Sequence, residues 1–344
     1  MDLKHRAPVY YSEYLQLDKI LNAQTTESGK EGIRADDEMM FIVIHQTYEL
    51  WFKLVLHELD IVGEIFKQKE ISNNSPDIYN VVHRIKRVCT ILEVCVQQMS
   101  VVESMTPLDF LDFRDLLRPA SGFQSIQFKM VEAKLGLTYD KRFGKGYYLT
   151  QLNEKDIDRV KAVEANESLM VLLNRWLERM PYADDAKYWN EDESVKNFWA
   201  LYDKAYKESL SEAEQSNWDT YQKLYGDAAY PEDRSFSKAA NRSALFIMLY
   251  RDYPMLHLPF EILSSLLEID QLLSMWRHRH IHMVQRTIGK RVGTGGSTGA
   301  DYLKSAADSH YIFKEMAELS SFLLPRAALP TLPKSLQQEL GYHN

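Results

Sequence analysis

Two cysteines in 344 residues leave no room for a disulfide framework. Cys89 and Cys95 stand six apart on one helical segment, so they leave it from different faces and form no CxxC metal or redox pattern. Long apolar runs are missing too. The run Met39 to Ile44 falls far short of the roughly 20 residues that cross a bilayer, and MDLKHRAPVY has no apolar secretion core. A cytoplasmic chain with no membrane partner is the expectation. Basic excess is also lacking: 49 acidic against 41 basic residues give a net charge of −8 with no Lys/Arg block, which argues against nucleic acid as a partner. Internal repeats, low-complexity stretches and proline-rich linkers are absent, so nothing divides the chain. Strand-like alternation between hairpin turns does not occur either.

What is present is helical periodicity along nearly the whole length, in a composition that is 45% hydrophobic and 26% charged, as in ordinary globular proteins. The pattern predicts one all-α domain over residues 1–344, a bundle of long helices with a more charged helical excursion at 137–245. Helices are expected over residues 9–22, from Asp37 for about thirty residues, over 77–103, from Pro107 onward, over 123–135, from beyond Pro259 to Gly289, and from Tyr302 to Leu324.

Within the helix ending at Gly289, His280 follows Trp276 by one turn and precedes Val284 by one turn, on the apolar side. An imidazole there must satisfy a ring nitrogen away from water, as a core histidine bonded to a carbonyl or as an axial ligand to haem iron. Arg277, Arg279, Arg286, Lys290 and Arg291 crowd the same helix end, which suits the helix dipole and equally an anionic cofactor carrying carboxylates. His278 and His282 have zinc-chelating spacing on the opposite face but no third ligand, so a solvated basic face is favoured. From Gly289 to Gly299 five of eleven residues are glycine, with Thr294, Ser297 and Thr298 between them. Neither GxxxxGK[ST] nor GxGxxG fits, and the segment reads as a linker or a loop closing over a small polar ligand.

Three further stretches carry chemistry. Phe41, His45, Tyr48 and Phe52 share a stripe, with His45 behind six apolar residues as either a structural histidine or a polar group set in an apolar pocket. Phe110, Arg114 and Leu117 share a face at i, i+4 and i+7; the guanidinium there serves an ion pair with Asp109, Asp112 or Asp115, or a bidentate clamp for a substrate carboxylate. Ser121-Gly122 makes a turn that brings backbone N–H groups towards a ligand. Near the N-terminus Tyr11, Tyr14, Leu15, Leu17 and Ile20 form an amphipathic segment that either docks on the core or lines an aromatic pocket.

WRxRHxxMVxRxIG followed by GTGGSTG, together with FIVIHQTYELWFK, FLDFRDLLRPASGFQS and YxxYL, closely resembles the tryptophan 2,3-dioxygenase family over most of the chain. The resemblance implies haem b held by His280 as axial ligand to the iron, against Trp276, Val284, Ser121 and Gly122. It implies L-tryptophan bound by Phe41, Arg114 and Thr294 with Tyr11, Tyr14, Leu15, Phe110 and Leu117 nearby, and His45 meeting the indole nitrogen. Dioxygen would enter across the indole C2–C3 bond to give N-formyl-L-kynurenine. It further implies a homotetramer, a dimer of dimers, whose N-terminal arm, residues 1–30, crosses to a neighbour. Phe110 stands where family members commonly have tyrosine, which removes one hydroxyl. The rival readings are a haem-dependent monooxygenase of another aromatic, or a haem or tryptophan sensor without turnover.

Overall fold

The computed structural model describes residues 7–142, 145–180, 182–183, 186–189, 197–289, 291 and 299–341. Among these residues every regular element is helical. The N-terminal arm holds α1 (Tyr11–Leu15), α2 (Leu17–Leu21) and α3 (Glu27–Lys30), and two long helices follow, α4 (Glu38–Phe66) and α5 (Pro76–Val102). Next come α6 (Pro107–Leu111), α7 (Ile126–Leu135), α8 (Glu154–Glu164), α9 (Leu169–Glu178), α10 (Ala186–Trp189), α11 (Phe198–Ser209), α12 (Gln215–Leu224) and α13 (Lys238–Leu249). The longest, α14 (Pro254–Ile288), leads to α15 (Gly299–Ser309), α16 (Lys314–Glu318) and α17 (Lys334–Leu340).

Local chemistry sets these limits. Ser75 caps α5 by accepting from the Ile78 N–H at 3.3 Å, and Pro76 occupies the first helical position, where no donor is needed. Thr106 and Asp109 form a reciprocal capping box on α6. Gly289 ends α14 with φ +59°, a conformation that disfavours other residues. Glu38, buried at the start of α4, turns back to accept from the N–H groups of Glu27 and Ser28 at 2.8 and 2.9 Å, pinning α3 to the bundle.

The frame is α4, α5 and α14. On α4 the buried residues Ile44, Tyr48, Phe52, Val55, Leu59, Val62 and Phe66 recur every three or four positions, and this stripe meets matching stripes on α5 and α14. Tyr48 donates to the Cys95 carbonyl at 3.0 Å and Gln98 to that of Ile44 at 3.3 Å, so α4 and α5 run antiparallel. Arg279 grips Glu103 at the far end of α5 with two bonds of 3.0 and 2.7 Å, and Arg286 donates to the Glu103 carbonyl. The excursion at 137–245 shares the same buried cluster. Its stacked Tyr202, Tyr206, Tyr221 and Tyr225 reach the C-terminal segment, where Tyr202 and Tyr206 donate to the carbonyls of Phe322 and Ser321.

Several expected boundaries shift. The segment over residues 9–22 is two short helices broken at Gln16, whose φ is +53°. Pro259 does not precede α14 but lies inside it: the helix begins at Pro254 and continues past the lost N–H. The helix from Pro107 stops at Leu111, and a 3-10 turn at Arg114–Leu117 follows. Residues 123–135 divide into a 3-10 turn at Gly122–Gln124 and α7, and residues 302–324 divide at His310 to Phe313.

Candidate functional site

Between α4 and α14 lies a cavity of about 270 Å³, close to the lower end of small-molecule sites, which run from about 300 Å³ upward. Its walls are mostly apolar. Phe41, Tyr48 and Phe52 come from α4, Met99 and Val102 from α5, Phe128 from α7, and Trp276, Met283 and Val284 from α14. Polar side chains also line it, among them His45, Glu49, Arg114, Ser125, Glu132 and His280.

His280 and His45 line the same cavity from two different helices. Trp276 stacks on the His280 ring at 5.3 Å between centroids, and the buried His280 Nδ1 has no hydrogen-bond partner among the described residues. Burial, reinforced by the neighbouring His45, pushes its pKa down to about 4, so at neutral pH the ring is uncharged and keeps a lone pair. His45 places Nδ1 2.6 Å from the Phe41 carbonyl, one turn back. A carbonyl only accepts, so Nδ1 carries the proton and Nε2 is left as an acceptor. Burial lowers the pKa of His45 against the opposing pull of that carbonyl and of Glu49, and the ring is neutral. His45 keeps much of its surface accessible and His280 is half-buried, and both line the cavity, so the depression at His280 is the firmer of the two.

Phe41 packs against the His45 ring at 4.1 Å and against Phe110 and Phe113 at 5.7 and 5.5 Å. Arg114, 5% exposed, enters the cavity beside this aromatic group. Nearby, Asp109 is engaged in the α6 capping box and Asp115 pairs with Arg118 at 3.2 Å, while Arg114 has interactions of its own within the chain.

At the α7 side Glu132 is buried among cations. It accepts from Arg277 at 2.7 Å and from Arg142, with His310 at 3.8 Å. Burial alone would raise the Glu132 pKa, but Arg142, His310, Arg277 and Lys129 outweigh it and hold the carboxyl well below its usual range. Lys129, also buried, is pushed down to about 8. Arg277 and Arg279, two of the five basic residues at this helix end, are therefore engaged by protein carboxylates, Glu132 and Glu103.

The structure thus brings together Phe41, His45, Phe110, Arg114, Ser121, Gly122, Trp276, His280 and Val284. Leu117 stays outside, because the break after Leu111 ends the i, i+7 register that would have aligned it with Phe110. Tyr11 and Tyr14 are 74% and 75% exposed and, like the half-buried Leu15, lie outside the cavity wall of their own chain. Thr294 and most of the glycine-rich segment fall outside the described residues. His278 bonds to Ser274, and no group of three His, Cys, Asp or Glu able to hold a metal occurs among the described residues. His280, neutral and with an unpartnered ring nitrogen in a mostly apolar cavity, fits a metal whose other ligands come from a macrocycle, as in haem.

Residues 2–323 match the family model described as tryptophan 2,3-dioxygenase. The chain belongs to that family. The tryptophan 2,3-dioxygenase of Alteromonas mediterranea is 40% identical, covering 99% of both chains. That of Dictyostelium discoideum is 40% identical over 97% of this chain and 88% of its own, and that of Xenopus laevis 40% identical over 96% and 86%. For a tryptophan 2,3-dioxygenase family member, the wall residues that sequence reasoning missed are chiefly Glu49, Lys129, Glu132 and His310. Their sequence signal is weak, since isolated charges read as solvated positions and the partners of Glu49 and Glu132 are distant in the chain.

Proposed function

We propose that this protein is a haem-dependent dioxygenase that inserts both atoms of dioxygen across the indole C2–C3 bond of L-tryptophan, giving N-formyl-L-kynurenine. His280 would hold haem b, which when bound would supply the ferrous chemistry that activates dioxygen. Neutral His280 suits that role because a protonated ring could not ligate, and Trp276, Val284, Ser121 and Gly122 line the space around it. His45, with Nε2 as acceptor, takes the indole N–H and sets the indole plane, while Phe41 packs on the ring. Arg114 receives the carboxylate; its fork fits two oxygens at once, and burial strengthens the pair. The family resemblance adds Thr294, which lies outside the described residues, as a second group for the amino-acid end. Holding the substrate in one orientation in an apolar space is the chain's own contribution to rate.

The observation that carries this reading is one cavity holding His280, His45 and Arg114 together. The exposed Tyr11 and Tyr14 support a homotetramer in which the arm completes a neighbour's site, since such apolar surface favours burial on a partner. The test is product analysis with haem-loaded protein, reductant, air and L-tryptophan. Formyl-kynurenine absorbance is the expected outcome; a singly oxygenated product would replace this reading with a monooxygenase, and tryptophan binding without product would replace it with a sensor.

A further inference from the structure

Glu49 lies one turn beyond His45 on α4 and lines the cavity, yet the roles assigned above leave it unused. Its carboxylate accepts from the Ser125 hydroxyl at 2.5 Å and from the Gln127 side-chain amide at 2.9 Å, and the same amide donates to the Glu49 backbone carbonyl at 2.7 Å. These donors are more than seventy residues away in the chain, at the start of α7. Ser125 is at once the cap of α7, accepting from the Phe128 N–H, and the last residue of the turn whose Ser121, Gly122 and Phe123 form the cavity wall. One carboxylate therefore joins the helix that carries Phe41 and His45 to the wall that faces them.

We propose that Glu49 is a positioning residue for tryptophan, clamping the Ser121–Gln127 wall onto α4 so that the pocket is held in its binding-competent shape. The proposal rests on the reading of this cavity as the tryptophan site. Bonds to a charged acceptor are about twice as strong as neutral ones, so a neutral replacement loosens the clamp without removing its bulk. A loosened wall lowers the fraction of molecules competent to bind, and apparent affinity falls by that fraction while the bound complex reacts as before. The signature is a rise in KM with kcat preserved.

The experiment compares steady-state kinetics of haem-loaded wild type, Glu49→Gln, Glu49→Asp, Gln127→Ala and the double variant Glu49→Gln/Gln127→Ala. Glu49→Gln should raise KM for L-tryptophan about tenfold, the lower end of the range for a lost bond to a charged group, with kcat close to wild type. Gln127→Ala should show the same split, Glu49→Asp should recover part of it, and the double variant should fall short of the product of the two single effects, because the two changes share one side-chain bond while the amide's bond to the Glu49 carbonyl is lost only with Gln127. A fall in kcat with KM unchanged, multiplying effects in the double variant, or wild-type kinetics throughout would each overturn the proposal. Should Glu49→Gln not fold, Gln127→Ala carries the test, since it spares both the α7 cap and the charge. Wild type that makes no product would instead fail the parent reading.

Discussion

Replacing Glu132 by glutamine keeps the shape of the buried cluster and removes the negative charge that Arg142 and Arg277 share. The side chains of Glu132 and Arg142 are 2% exposed and that of Arg277 7%, so water cannot replace the lost carboxylate. Removing one partner of a buried ion pair typically costs about 3–5 kcal/mol. With roughly 2.1 cal/mol/K of unfolding entropy per residue, that is a fall in melting temperature of about 4–7 °C. The pH dependence has a definite sign. The Glu132 pKa in the folded protein is depressed below the ordinary 4.5, so its stabilisation is complete above that pH and is lost as pH falls towards the folded value. The gap between wild type and Glu132→Gln should therefore be widest near neutrality and narrow below about pH 4.5. Differential scanning calorimetry across that range measures it. Equal melting temperatures at pH 7, or a gap that stays constant on acidification, would refute the picture of a charge network holding Arg277, one turn before His280, in place.

Three further outcomes are expected. His280→Ala should lose stoichiometric haem binding while far-ultraviolet circular dichroism stays close to wild type; an unchanged Soret spectrum would remove His280 as the axial ligand. His45→Ala should keep haem and some turnover, with a smaller loss for 1-methyltryptophan than for tryptophan, whereas equal losses would dissociate His45 from the indole N–H. Co-expressed Tyr14→Ala and Arg114→Ala chains, each nearly inactive alone, should regain part of their activity in the mixed oligomer if Tyr14 reaches a neighbour's site; a mixed oligomer as poor as its parents would place Tyr14 in cis.

How much was legible in the chain depended on whether a residue contradicted its surroundings. His280 and His45 stood out as polar groups on apolar stripes, and Arg114 as a charge sharing a face with Phe110, because helical periodicity alone predicts those positions buried. The long helices were legible for the same reason. Breaks were not: Gln16 takes φ +53° without being glycine, and the turn between Leu111 and Arg114 carries no proline or glycine to announce it. Pro259 misled because proline suits the start of a helix, and Pro254, five residues earlier, fills that place. Glu49, Lys129 and Glu132 escaped because each looks like a surface charge until residues far along the chain fold onto it, as Ser125 and Gln127 do for Glu49 and Arg277 and His310 for Glu132.

The claim that both oxygen atoms pass from dioxygen to tryptophan is tested most directly by turnover under ¹⁸O₂ in ordinary water, with mass spectrometry of the product. The account predicts N-formyl-kynurenine carrying two heavy oxygens, one on the formyl group and one on the aryl ketone, after correction for exchange with solvent. A product with a single heavy atom, or with both oxygens drawn from water, would contradict it.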